Sequence, residues 1–131
     1  MQADSHSILV VEDDEFMAAL VRAMLERQQM RVSCVADGRA ALERLDEAPV
    51  FDAVVLDLML PQVSGLEVLA QLRQRAGWQD TPVLVLSAVD GGDEIARAFV
   101  AGASDYVVKP FNPEEFLARL TRLLPHAGQG G

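Results

Sequence analysis

Five short apolar runs punctuate the chain, and each is followed by a stretch whose apolar residues recur at helical spacing. Ile8-Leu9-Val10-Val11 is continuous, as in a strand covered on both faces. Phe16, Met17, Leu20, Val21, Met24 and Leu25 then line one face of a helix. Arg31 to Val35 reads as a second strand, followed by a helix from Gly38 to about Asp46. Ala53-Val54-Val55-Leu56 is the third strand, before a helix that turns Leu66, Leu69 and Leu72 inward. Pro82 opens the fourth strand, Val83 to Leu86. Gly91-Gly92 loosens the approach to a helix holding Ile95 and Phe99, with Gly102 placed as a left-handed C-cap. Tyr106-Val107-Val108 is the fifth strand. The last helix begins at Pro113 behind an Asn112 N-cap and presents Phe116, Leu117, Leu120 and Leu124.

Five strand–helix units with continuous apolar strands predict an α/β fold, a parallel sheet with helices on both sides. With 131 residues there is room for one domain. It is expected over residues 7–124, after a disordered 1–6 and before a Gly-rich 125–131, a flexible tail or linker. Trp78, just before the fourth strand, reads as a surface loop residue.

Composition narrows the chemistry. Twenty acidic against 11 basic residues give a formal charge of −9, which repels nucleic acid and anionic lipid, so neither is expected as a direct partner. No apolar run approaches membrane-spanning length. The single cysteine, Cys34, excludes an internal disulfide and fits a reducing, cytoplasmic setting; within its strand it reads as a buried, inert thiol. His6 and His126, the two histidines, both fall in the polar ends, which removes Ser-His, Cys-His and His-rich zinc chemistry.

Ligands of open parallel sheets bind beyond the carboxyl ends of the strands. The first strand ends in Glu12-Asp13-Asp14, the third in Asp57, the fourth in Ser87 and the fifth in Lys109-Pro110. The second ends in Ala36-Asp37-Gly38, which resembles an ordinary turn. Adjacent carboxylates repel unless a cation joins them, and an all-oxygen set suits a hard ion such as Mg²⁺. Alternatively, Glu12-Asp13-Asp14 is a solvated turn with one Asp, best Asp14, capping the first helix. Lys109 is the only lysine beside ten arginines, a compact point charge suited to a phosphate. Asp57 either hydrogen-bonds its own loop or is a nucleophile for a phosphoryl group.

Taken together, Val10-Val11-Glu12-Asp13-Asp14, Asp57-Leu58-Met59-Leu60-Pro61, Leu86-Ser87-Ala88 and Asp105-Tyr106-Val107-Val108-Lys109-Pro110-Phe111 resemble the response-regulator receiver family of two-component signalling. The resemblance covers about residues 7 to 124 and implies the flavodoxin-like (βα)5 doubly wound sheet with strand order 2-1-3-4-5, which members of this family illustrate. It implies that Glu12, Asp13, Asp57 and the backbone carbonyl of Met59 hold Mg²⁺. Asp57 then takes a phosphoryl group from a sensor histidine kinase or phosphotransfer protein, and Ser87 and Lys109 bind its oxygens. Ser87 and Tyr106 act as the switch that remodels the face of the fourth helix, fifth strand and fifth helix for a downstream effector protein or output domain. The Lys109-Pro110 bond is expected to be cis. Glu12 stands where many relatives have Asp. Apolar Met59 and Val89 imply slow self-dephosphorylation. Asp105, Glu115 and Arg119 match the charged pattern of relatives that form a phosphorylation-linked homodimer, whereas Ile95 and Ser104 depart from it.

Three rivals remain. A degenerate receiver binding a partner constitutively would be favoured had Asp57 or Lys109 been lost. An Asp-nucleophile phosphohydrolase typically carries a second Asp where Met59 stands, so a signalling domain rather than a dedicated enzyme is expected. A flavin-binding relative needs a Ser/Thr/Gly-rich first loop, whereas Glu12-Asp13-Asp14-Glu15 repels phosphate.

Overall fold

The computed structural model describes residues 5–47 and 50–125. Strands β1 (Ser7–Val11), β2 (Arg31–Val35), β3 (Ala53–Leu56), β4 (Val83–Ser87) and β5 (Asp105–Val108) alternate with helices α1 (Glu15–Arg27), α2 (Gly38–Leu45), α3 (Gly65–Gln74), α4 (Gly92–Ala101) and α5 (Pro113–Leu123). All strands pair in parallel in the order β2-β1-β3-β4-β5. This is the flavodoxin-like doubly wound sheet expected above.

Alternate residues of a strand point to opposite faces, and the two cores follow that alternation. On one face Ile8, Val10, Ala53, Val55, Leu84 and Leu86 pack with Val21 and Leu25 of α1 and with Phe116, Leu120 and Leu124 beside α5. On the other, Leu9, Val11, Val54, Leu56 and Val83 pack with Ala41, Leu45, Val68, Leu69 and Leu72 of α2 and α3. Fully burying such an aliphatic side chain stabilises by about 1.5–3 kcal/mol, which fixes the strand register and so the position of each strand end.

Local signals set the helix starts. The side chains of Asp14, Asp37, Ser64 and Asn112 accept from the backbone N–H of Met17, Ala40, Glu67 and Glu115, satisfying amides that have no partner within the helix. Asp37 is thus the N-cap of α2 rather than part of a plain turn. Gly102 closes α4 at φ 119°, a conformation that glycine adopts without strain.

Several apolar positions depart from the expected layout. Trp78 is buried, at 2% exposure, not on the surface. Its ring fills the second core beside Phe51, and its Nε1–H donates to the Leu45 carbonyl at 3.1 Å. The α3–β4 connection brings Trp78 against this core, and the indole can be buried there because its polar end has a partner. In α4 only Ala98 is buried, while Phe99 is 45% and Val100 89% exposed. Phe16 of α1 is also exposed, at 77%. Cys34 is half-buried, and burial pushes its thiol up, as for an inert packing residue.

Ser5 Oγ donates to the Gln29 carbonyl, and His6 Nε2 donates to the Pro125 carbonyl. The rest of the two terminal segments, His126 included, lies outside the described residues. Among the described residues no helix is long and apolar enough to cross a membrane.

Candidate active site

Strand order reverses between β1 and β3, which opens a crevice at their carboxyl ends. The ladder carries on past the strands, with Glu12 N–H donating to the Val35 carbonyl and Asp57 N–H to that of Val11. The two acidic side chains are thereby fixed side by side. Glu12 and Asp57 are both buried, and Asp13 beside them is exposed. One carboxylate oxygen from each of the three lies within 4.8 Å of the other two.

Lys109 enters from the end of β5, its backbone N–H held by the Ser87 carbonyl. Its Nζ donates to Glu12 Oε1 at 2.7 Å and to Asp57 Oδ2 at 3.0 Å. The peptide that follows it, Lys109–Pro110, is cis. Ser87 Oγ donates to Asp57 Oδ1 at 2.9 Å, and the Met59 N–H donates to the same oxygen at 3.0 Å. The two oxygens of Asp57 are therefore in different surroundings: Oδ1 meets two neutral donors and Oδ2 an ammonium. Glu12 Oε2 also accepts from the Asp14 N–H, which ties the site to the cap of α1.

One ammonium faces two carboxylates, and their ionisations reflect it. Burial pushes the Glu12 carboxyl up, and the hydrogen bonds from Lys109 and the Asp14 amide recover only part of that, so it ends above the usual carboxylate range. Burial pulls Lys109 down, but its bonds to Glu12 and Asp57 outweigh it and its ammonium is held above the ordinary lysine range. Three carboxylates against one ammonium leave two negative charges at the crevice. An all-oxygen set with one exposed member that leaves room for water fits a hard divalent cation such as Mg²⁺.

Tyr106 does not reach Asp57. Its hydroxyl donates to the Val89 carbonyl at 2.6 Å, and its ring lies tilted against Phe99, centroids 6.5 Å apart. Burial and the charge of Asp57 raise its phenol above the ordinary range. Ser87 is thus turned toward Asp57 while Tyr106 is tucked under the β4–α4 loop. The Met59 side chain is 62% exposed at the mouth of the crevice. Asp105, Glu115 and Arg119 pair within the chain: Arg119 reaches Asp105 at 3.0 Å and Glu115 at 3.0 Å.

Gly65, which follows the Asp57–Pro61 run in the sequence, frames the site through its backbone. A methyl group on Gly65 would overlap the Asp57 carbonyl oxygen and come within 2.6 Å of Leu58 Cα. Only glycine lets α3 start against the backbone that carries Asp57.

An acidic crevice closed by an ammonium at the switch point of such a sheet defines the signalling class of doubly wound domains rather than the flavin-binding one. The sequence comparisons agree. The model of the response regulator receiver domain matches residues 8–121, and the chain belongs to that family. The transcriptional regulatory protein TcrA of Mycobacterium tuberculosis is 46% identical over 116 residues, 88% of this chain and 45% of that protein. The phosphate regulon regulator PhoB of Rhizobium meliloti is 41% identical over 120 residues, 92% of this chain and 52% of that one. The chain spans about half the length of these curated relatives. A solved receiver domain of the sensor histidine kinase PA1611 from Pseudomonas aeruginosa PAO1, with a magnesium ion coordinated in its active-site cleft, is 29% identical with a TM-score of 0.83, covering 91% of this chain and 97% of that one.

Proposed function

We propose that this domain is a phosphorylation-dependent switch whose acceptor is Asp57. The observation that carries the reading is the shared pairing of Asp57 with Lys109 and Ser87 beside two further carboxylates. Glu12, Asp13, Asp57 and the Met59 carbonyl would hold Mg²⁺, which when bound neutralises charge on a transferring phosphoryl group. The chain's own residues do the rest. An Asp57 oxygen forms a bond to phosphorus as the donor's P–N bond, in a phosphohistidine of a sensor kinase or phosphotransfer protein, breaks. Lys109 and Ser87 stand where they can bind the phosphoryl oxygens, so positioning and charge neutralisation need little movement. The product is an aspartyl phosphate, and exposed, apolar Met59 with Val89 offers no group to orient a hydrolytic water.

The readout would pass through Ser87, the β4–α4 loop and Tyr106 to the face of α4, β5 and α5, where an effector protein or attached output domain would bind in the cytoplasm. A homodimer through that face would have to exchange the Asp105–Arg119 and Glu115–Arg119 pairs for contacts between chains. Constitutive binding by a degenerate receiver is the second reading, against which stand the hydrogen bonds of Ser87 and Lys109 to Asp57.

The test is the metal requirement. Incubated with acetyl phosphate, the protein is expected to gain one phosphoryl group with Mg²⁺ present and none with excess chelator, as read by phosphate-affinity electrophoresis. Equal gain in both conditions would remove the metal from the account, and no gain in either would favour the degenerate reading.

A further inference from the structure

The acceptor loop between β3 and α3 holds a strained residue and a close approach from a neighbouring turn. Gln62 has φ 69°, and around it the Val63 N–H donates to the Pro61 carbonyl at 2.8 Å. This is a γ-turn of the rare, positive-φ kind, which persists only where surrounding structure enforces it. The neighbouring element is α2. A methyl group added to Gly38 would overlap the Val63 carbonyl oxygen and lie 2.7 Å from Val63 Cβ, whereas ordinary carbon contacts begin at about 3.5 Å. The first turn of α2, capped by Asp37, therefore abuts the loop backbone at Val63. From Val63 the loop leads back to the site: Gly65 N–H is held by the Leu58 carbonyl, and Met59 N–H by Asp57 Oδ1.

We propose that Gly38 is a positioning residue for the acceptor site, bracing the Leu58–Ser64 loop through Val63 so that Asp57 and the Met59 peptide sit in reacting geometry. The inference rests on the phosphoacceptor reading of Asp57. A side chain at position 38 pushes on Val63, and the γ-turn at Gln62 transmits the push instead of absorbing it, since a non-glycine residue there has little conformational room. Displacements of about 1 Å from the productive geometry cost rate on the order of a hundredfold.

The experiment compares Gly38→Ala with three companions by phosphoryl uptake from acetyl phosphate across a Mg²⁺ titration. Gly38→Ala is expected to take up phosphate at least about tenfold more slowly and to need more Mg²⁺ for half-maximal rate, while keeping its helical circular dichroism. Adding Gln62→Gly, which frees the turn, is expected to restore most of both losses. Gly92→Ala, whose added methyl meets nothing within 4 Å, is expected to behave as wild type. Met30→Ala, a core truncation remote from the loop, controls for lost stability. A wild-type rate in Gly38→Ala, an equal loss in Met30→Ala, or no rescue by Gln62→Gly would each overturn the proposal. If the wild type itself accepts no phosphoryl group, the reading of Asp57 fails. The brace is then decided by amide chemical shifts: Gly38→Ala must move Leu58 and Met59 more than Gly92→Ala does.

Discussion

Replacing Lys109 with alanine is expected to slow phosphoryl uptake by at least about a hundredfold, the usual cost of deleting one charge-stabilising donor from a transfer site. The variant should also unfold more easily at neutral pH, by about 2 kcal/mol. The figure is below the loss for a fully buried ion pair because Asp13 opens the site to water. Without Nζ, two buried carboxylates face each other uncompensated, and Glu12 rises further above its already raised position. The pH dependence follows. A carboxyl raised in the folded state above its unfolded value contributes stability that is present at low pH and lost as pH climbs through the folded value. The deficit of Lys109→Ala against wild type should therefore be full at pH 7 and shrink as the buffer is acidified into the carboxylate range. The same sign holds at the alkaline end for the wild type: Lys109, held high, contributes stability that disappears only as pH rises through its raised value. Denaturant unfolding between pH 4 and 7 checks this, and a deficit that grows on acidification would contradict it. Mg²⁺ is expected to restore much of the variant's stability, because it replaces the missing positive charge.

Arg73→Met should destabilise the domain by about 2–3 kcal/mol, because it strips donors from carbonyls at three points of the chain. Arg73 Nη1 donates to the Trp78 and Thr81 carbonyls at 3.0 and 2.7 Å, and Nε and Nη2 donate to Gly102 at 3.1 and 2.8 Å. The guanidinium thus fastens the α3–β4 connection to the C-cap of α4. Burial pulls it below the ordinary arginine range, and among the described residues no carboxylate hydrogen-bonds it, so its worth lies in the geometry of the fork. Arg73→Lys should recover only part of the loss, since one ammonium cannot span the three carbonyls. Thermal unfolding is the measurement, and a midpoint unchanged in Arg73→Met would show that water replaces the guanidinium at no cost.

What could be read in advance, and what could not, divides along the same physical line. The strands were legible because a strand buried on both faces must be continuously apolar, and Ile8–Val11 and Ala53–Leu56 meet little competition from any other pattern. The site was legible because a parallel sheet delivers every strand end to one edge, so Glu12, Asp57, Ser87 and Lys109 had to meet once the strands were placed. Trp78 was misplaced because loop position says nothing about where a connection folds back, and its burial depends on a carbonyl from α2. Helical spacing likewise marks Ile95 and Phe99 as one face without saying how much the sheet covers, and α4 proves to be the least buried helix face. Arg73 reaches the Gly102 carbonyl and Gly38 abuts the Val63 backbone, atoms distant in sequence, and no residue pattern announces such contacts.

The central claim is that Asp57 accepts the phosphoryl group, and intact mass of the wild type and of Asp57→Asn after incubation with acetyl phosphate and Mg²⁺ tests it most directly. The expected result is one added phosphoryl group on the wild type and none on the variant. The same gain on both proteins would place the acceptor elsewhere and contradict the assignment of the site.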